Sequence, residues 1–179
     1  MKPGIDMKGG SPAISRRIGR SDAQQLVTLQ VAQRYDVPPA HVFDAWLDPD
    51  VAGRWLFATA SHPIVHPDID ARVGGAFRFV DRRSGQVIEY TGEYVEIAPY
   101  QRLVFTLSME QQPQVSTRVV VEIAALRKGC LLTLTHERVP HEHASRIEGR
   151  WTGILYGLGV TLDRGKLDKV ALETVELRA

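Results

Sequence analysis

The chain has 179 residues, of which 44% are hydrophobic, and its 22 basic and 21 acidic side chains leave a formal charge of +1. Such a balance provides no strong field for nucleic acid or an anionic membrane, so we expect neither as a partner. Cys130 is the only cysteine, which excludes an intramolecular disulfide and a cysteine-based zinc cluster. Neither a run of ~20 apolar residues nor a signal-peptide pattern occurs, so we expect a cytoplasmic protein.

The first third of the chain predicts a leader, one strand and two short helices. Residues 1–24 are rich in Gly, Pro and Arg and have no apolar period, which predicts a flexible leader before a single domain over residues 25–166. Apolar and polar residues alternate from Val27 to Tyr35, which is typical of a half-buried strand. Pro38 and Pro39 favour a helix start. Asp48 and Pro49 end that helix and open a second one.

The rest of the chain predicts an antiparallel sheet followed by a long helix. Residues 64–139 contain about six strands separated by turn residues such as Gly74-Gly75, and connections this short favour antiparallel neighbours. The long strand over residues 86–97 changes phase, which predicts a bulge near Gly92. After Pro140, an apolar stripe from Ile147 to Leu162 predicts the longest helix, and residues 167–179 form a tail. The predicted class is α+β with six to seven strands.

Four segments carry a resemblance to a known family. They are residues 42–49 (VFDAWLDP), 70–75 (DARVGG), 92–99 (GEYVEIAP) and 131–136 (LLTLTH). In this order and spacing they resemble the activator of heat-shock-protein-90 ATPase homologue-like family of the START-like (SRPBCC) superfamily. The resemblance implies a helix-grip fold, in which a curved sheet grips a long C-terminal helix with a cavity between them. Fold alone implies function only loosely.

One position departs from the pattern of the resemblance. The family commonly has Gly-Trp at the entrance to the last helix, whereas here Arg150 precedes Trp151 and Gly149 lies one place earlier. The resemblance therefore implies that the mouth of the cavity is lined differently in this chain.

The sequence offers few catalytic candidates. The histidines lack metal-ligand spacing, since His62 and His66 would stand roughly 13 Å apart in an extended segment at ~3.3 Å per residue. Cys130 has no partner motif, and Gly74-Gly75 lacks the Lys and helix of a phosphate loop. We therefore expect no metal, no cofactor and no catalytic residue.

Ligand-binding candidates are more numerous. His136 has the parity of Leu132 and Leu134 and should point to the apolar side of its strand, where it either orients a ligand or is a core histidine with satisfied hydrogen bonds. The side chains expected to line the cavity are Trp46, Trp55, Phe57, Phe77, Phe79, Tyr90, Phe105, Leu107, Val121, Leu134, His136, Trp151, Leu155 and Leu158.

These observations leave three functional hypotheses. We favour a noncatalytic domain that binds a small apolar or amphipathic ligand. The alternatives are a chaperone-accessory or stress-related interaction module, and a cyclase- or hydrolase-like enzyme that uses the same cavity. Gly149, Gly153 and Gly157 also form a ridge on the back of the last helix, which predicts close packing against a second copy of the chain or against its own tail.

Overall fold

In the computed structural model, residues 25–58, 64, 67–83, 85–109 and 116–176 are described, with only the backbone given for 83, 109 and 166–176. The predicted leader, residues 1–24, lies outside this part, as do residues 177–179 of the predicted tail. The strands are β1 Leu26–Tyr35, β2 Asp68–Ile69, β3 Ala76–Arg83, β4 Gln86–Ala98, β5 Arg102–Met109, β6 Thr117–Ala125 and β7 Cys130–Pro140. The α-helices are α1 Pro39–Leu47, α2 Pro49–Ala52 and α3 Ala144–Glu176, and a 3-10 turn covers His141–His143.

The strands form one antiparallel sheet in the order β1-β7-β6-β5-β4-β3-β2. Every link except that between β1 and β7 joins strands that follow each other in the chain, as the short turns predict. The sheet is curved, and α3 lies on its concave side, where the Tyr35 hydroxyl of β1 donates to the Leu155 carbonyl at 2.8 Å. The predicted α+β helix-grip class, with two short helices after the first strand, is confirmed.

Aromatic side chains fill the space beneath the helices. Trp46 of α1 is 1% exposed and meets the ring of Trp55 edge-on at 4.7 Å. The indole N–H of Trp55 donates to the Ala45 carbonyl at 3.1 Å, which fixes the turn after α2 against α1. Phe105 of β5 lies 6.0 Å from Trp46, so the core is continuous from the helices to the sheet.

The phase change in β4 lies a few residues beyond the predicted position. Gly92 pairs in regular register with Phe77, and the register shifts between Tyr94 and Glu96. The glycine has a different role, because a Cβ there would lie 1.9 Å from the Thr106 carbonyl oxygen and 2.4 Å from the Phe77 ring. Gly92 therefore allows a close approach of neighbouring groups, and the bulge follows it.

The course of helix α3 contradicts one of the two predicted partners of the glycine ridge, the chain's own tail. Its backbone continues without interruption to Glu176, so residues 167–176 lead away from the ridge and do not fold back onto it. Within the described residues, no atom lies within 4 Å of a Cβ placed at Gly149 or Gly153, whereas one at Gly157 would lie 3.8 Å from Trp55. Only the first two glycines thus face open space.

Candidate ligand-binding site

A pocket of about 120 Å³ lies between the first turns of α3 and the sheet. Each of β4, β5, β6 and β7 contributes at least one side chain, and α3 closes the opposite side. The apolar lining residues are Phe57, Leu107, Pro140, Ile147, Trp151 and Ile154. The polar lining residues are Tyr90, Thr117, His136, His143, Arg146 and Arg150.

The aromatic wall of the pocket depends on an unusual backbone at Phe57. This residue has φ +59°, in the left-handed region that few non-glycine residues occupy. Its ring stacks on Tyr90 with centroids 4.3 Å apart and an interplanar angle of 8°, and lies 6.0 Å from Trp151. Backbone strain of this kind persists only where surrounding contacts compensate for it, and it is frequent at functional sites.

His136 lies at the centre of a hydrogen-bond chain that joins α3 to the sheet. The indole N–H of Trp151 donates to His136 Nδ1 at 3.0 Å, and His136 Nε2 lies 2.7 Å from the Thr117 hydroxyl. That hydroxyl donates in turn to the Leu107 carbonyl at 2.9 Å. Since indole can only donate, Nδ1 must be the acceptor and the ring proton lies on Nε2. Both ring nitrogens are therefore engaged.

The environment of His136 also holds it neutral. The side chain is 4% exposed, and desolvation by burial lowers its pKa from 6.5 to about 4. A neutral imidazole with two satisfied nitrogens matches the core-histidine interpretation, although the ring still forms part of the pocket wall. The ring lies on the face of β7 that its parity predicts, together with Leu132 and Leu134, which are 0% exposed.

Arginine side chains lie at the mouth of the pocket. The guanidinium of Arg150 lies 5.0 Å from the centroid of the Tyr90 ring and donates to the Tyr90 hydroxyl. Arg146 lies one turn earlier on α3. The departure from Gly-Trp at positions 150 and 151 thus puts a cation where the resemblance implied a glycine.

The structure separates the expected cavity residues into three groups. Those that line the pocket are Phe57, Tyr90, Leu107, His136 and Trp151. Those around a small void of about 10 Å³ are Trp46, Phe77, Phe79 and Phe105, together with Phe57. Those buried elsewhere in the core are Trp55, Val121, Leu134, Leu155 and Leu158, of which Leu155 also lines a second cavity.

Several pocket residues were not among the sequence candidates. Thr117 has the parity of the buried Val119 and Val121 on β6, but it was missed because only apolar and aromatic side chains and one histidine were taken as candidates. Ile147, Arg150 and Ile154 share the side of α3 that carries Trp151, and their spacing of three and four residues marks one helix face. Extending that face from Trp151 in both directions would have found them.

No group of three His, Cys, Asp or Glu side chains within the described residues is arranged to hold a metal ion. Cys130 is buried, and desolvation raises the pKa of its thiol, which disfavours the reactive thiolate. Metal binding and catalysis thus receive no support from these groups, and their absence stays a prediction.

A second cavity of about 550 Å³, the outer groove, lies between α3 and the C-terminal end of β1. Its lining includes the exposed residues Arg34, Asp36, Lys128 and Tyr156, so it is a polar surface groove. None of the helices in the described part of the chain combines the length and apolarity needed to cross a bilayer.

A curved antiparallel sheet that grips a long C-terminal helix is the fold of START-like domains. Within that class, the family model described as "Activator of Hsp90 ATPase homolog 1-like protein" matches residues 36–163. The chain belongs to this family.

Solved structures agree with the assignment. Protein CV1439 from Chromobacterium violaceum is 26% identical, with a TM-score of 0.67 over 74% of this chain and 95% of that one. The AHSA1-like protein from Aeromonas hydrophila is 21% identical, with a TM-score of 0.67 over 79% and 95% of the two chains. CalU16 from Micromonospora echinospora is 24% identical, with a TM-score of 0.60 over 85% of each. The latter two show the shared fold. No curated protein matches the chain in sequence.

Proposed function

We propose that the chain binds a small apolar or amphipathic molecule in the pocket between the sheet and α3. The observation that supports this proposal is the aromatic wall of Phe57, Tyr90 and Trp151 around a space of about 120 Å³. Apolar walls with a few convergent polar groups are typical of small-molecule sites. The volume is close to that of the apolar cavity of roughly 150 Å³ that binds benzene in another protein, so one aromatic ring is a suitable probe.

Titration with propylbenzene, a neutral one-ring compound, tests the proposal. We expect saturable binding that shifts the NMR signal of the Trp151 indole N–H, because this group lies in the pocket wall. Ile147→Trp should fill the pocket and abolish the shift. Val160→Trp adds the same side chain on another side of α3, at a residue that is 38% exposed, and should leave binding intact.

Two outcomes of this titration would contradict the proposal. Absence of saturable binding to the wild type would mean that the pocket accepts no apolar guest of this size. Loss of binding in Val160→Trp but not in Ile147→Trp would place the ligand in the outer groove, which Val160 lines.

An interaction module is a second candidate function. The family description names an activator of the Hsp90 ATPase, and Tyr156 beside the outer groove is 71% exposed. Large exposed aromatic residues are frequent at protein interfaces. An assay of ATP hydrolysis by an Hsp90 protein, with and without the chain, tests this hypothesis. A stress-related role, a cytoplasmic location and a homodimer through Gly149, Gly153 and Gly157 likewise stay proposals.

The enzyme hypothesis has less support. Acid–base chemistry needs at least two groups that can exchange protons with a ligand. His136 has both nitrogens engaged by protein groups, and no Asp or Glu occurs among the described residues that line the pocket.

A further inference from the structure

The pocket mouth carries a row of basic side chains on one edge of α3 and the turn before it. His143, Arg146 and Arg150 follow one another at intervals of three and four residues, so they are neighbours along the helix surface. Ile147, Trp151 and Ile154 form the apolar strip beside them. Among the described pocket residues there is no acidic side chain to balance this row.

Arginines elsewhere on the sheet have different surroundings. Arg78 pairs with Glu89 at 2.6 Å, Arg102 with Glu122 at 2.5 Å and Arg118 with Glu137 at 3.0 Å. By contrast, neither arginine at the pocket mouth has a carboxylate within 4.0 Å in the described part of the chain.

The uncompensated pair has a physical cost that a ligand could remove. Like charges four residues apart on a helix repel each other. Arg150 is nevertheless held at the pocket by its contact with the Tyr90 ring and its hydrogen bond to the Tyr90 hydroxyl. Arginine presents several N–H donors in a planar fork that matches a carboxylate.

We propose that the pocket selects small organic anions, with an apolar body against the aromatic wall and a carboxylate bound by Arg146 and Arg150. This proposal rests on the proposed function and adds a ligand class to it. The volume of about 120 Å³ limits the body to about one aromatic ring.

A matched pair of probes separates the effect of the ligand's charge on binding from the effect of its shape. We use 3-phenylpropionate and its neutral amide, 3-phenylpropanamide, and follow the indole N–H of Trp151 by NMR. The carboxylate should bind about tenfold more tightly than the amide, because hydrogen bonds to a charged group are roughly twice as strong as neutral ones. Its affinity should also fall with added salt.

Three variants identify the responsible side chains. Arg146→Gln and Arg150→Gln should each weaken binding of the carboxylate about five- to tenfold and leave the amide unchanged, following the same difference in hydrogen-bond strength. Arg164→Gln removes the same charge from a position of α3 that does not line the pocket and should change neither affinity. Because the Arg146 side chain makes no hydrogen bond within the described residues, Arg146→Gln tests the proposal even if Arg150→Gln disturbs the fold.

Every result decides between the two proposals. Equal affinity for carboxylate and amide keeps the binding function and overturns anion selection. A preference for the carboxylate that survives both pocket variants, or that falls equally in Arg164→Gln, also overturns it, because general charge would then be its cause. Failure of propylbenzene and both probes to bind overturns the proposed function together with the inference.

Discussion

At the scale of single residues, His136 makes the free energy of unfolding depend on pH, and the sign of this dependence follows from the pKa shift. Burial lowers its pKa to about 4, whereas the unfolded chain protonates near 6.5. As the pH falls from 6.5 to 4, His136 binds a proton in the unfolded state but not in the folded state. The free energy of unfolding should therefore decrease in this window by up to about 3 kcal/mol, at 1.36 kcal/mol per pKa unit, and level off below it.

Denaturant unfolding of the wild type and of His136→Phe at several pH values measures this effect. Other groups titrate in both proteins, so the difference between the two curves isolates the imidazole. The variant should lose about 1–3 kcal/mol at neutral pH, since it leaves the buried Trp151 N–H without an acceptor. A difference that stays constant between pH 4 and 6.5 would refute the assigned pKa.

Parity along β7 was sufficient to predict which way His136 points, but not what it touches. Its partner Trp151 lies on another element. The distance between the two side chains depends on where α3 lies along the curved sheet. The same limit applies to the aromatic candidates. A strand pattern indicates that Phe79 and Tyr90 face inward, but only tertiary packing decides that Tyr90 lines the pocket while Phe79 lies beside the small void.

At the scale of elements, most helices and strands were predictable because their apolar residues recur at periods of two or near four. The register shift in β4 was predicted a few residues early, because the predicted bulge was assigned to Gly92. The actual reason for that glycine is a long-range contact with Thr106 and Phe77, which no local pattern contains. Turns in the described part of the chain were predictable from Gly and Pro, as at Gly74 with φ +78°.

A pair of alanine substitutions tests this account of Gly92. Gly92→Ala should destabilise the fold by roughly 2–4 kcal/mol, because the new methyl group would meet a backbone oxygen that cannot move alone. Gly165→Ala is the control within α3, where a Cβ would meet nothing within 4 Å, and it should stabilise by about 1 kcal/mol. Thermal unfolding of both variants provides the measurement. Equal shifts of the two midpoints would contradict the steric argument.

At the scale of the whole molecule, the two sides of the fold differ in character. The outer face of the sheet carries cross-strand ion pairs, such as Arg102 with Glu122 and Arg118 with Glu137. Exposed pairs of this kind add little stability, but they make the face hydrophilic. The outer side of α3 instead exposes Tyr156 at 71% and Val160 at 38%. The strands expose apolar side chains too, such as Val87 at 49% and Val95 at 47%, but none of these is as exposed as Tyr156, so the helix offers one strong contact for another protein.

This asymmetry bears on the predicted homodimer through the glycine ridge. Gly149 and Gly153 leave open space beside α3, which would let a second helix approach closely. Light scattering should find a dimer for the wild type and a monomer for Gly153→Glu, which puts a charge into the contact. Leu131→Glu adds the same charge on the sheet, at a residue that is 36% exposed, and should leave the dimer intact. A monomeric wild type, or a Gly153→Glu dimer, would show that α3 carries these glycines without a partner at the ridge.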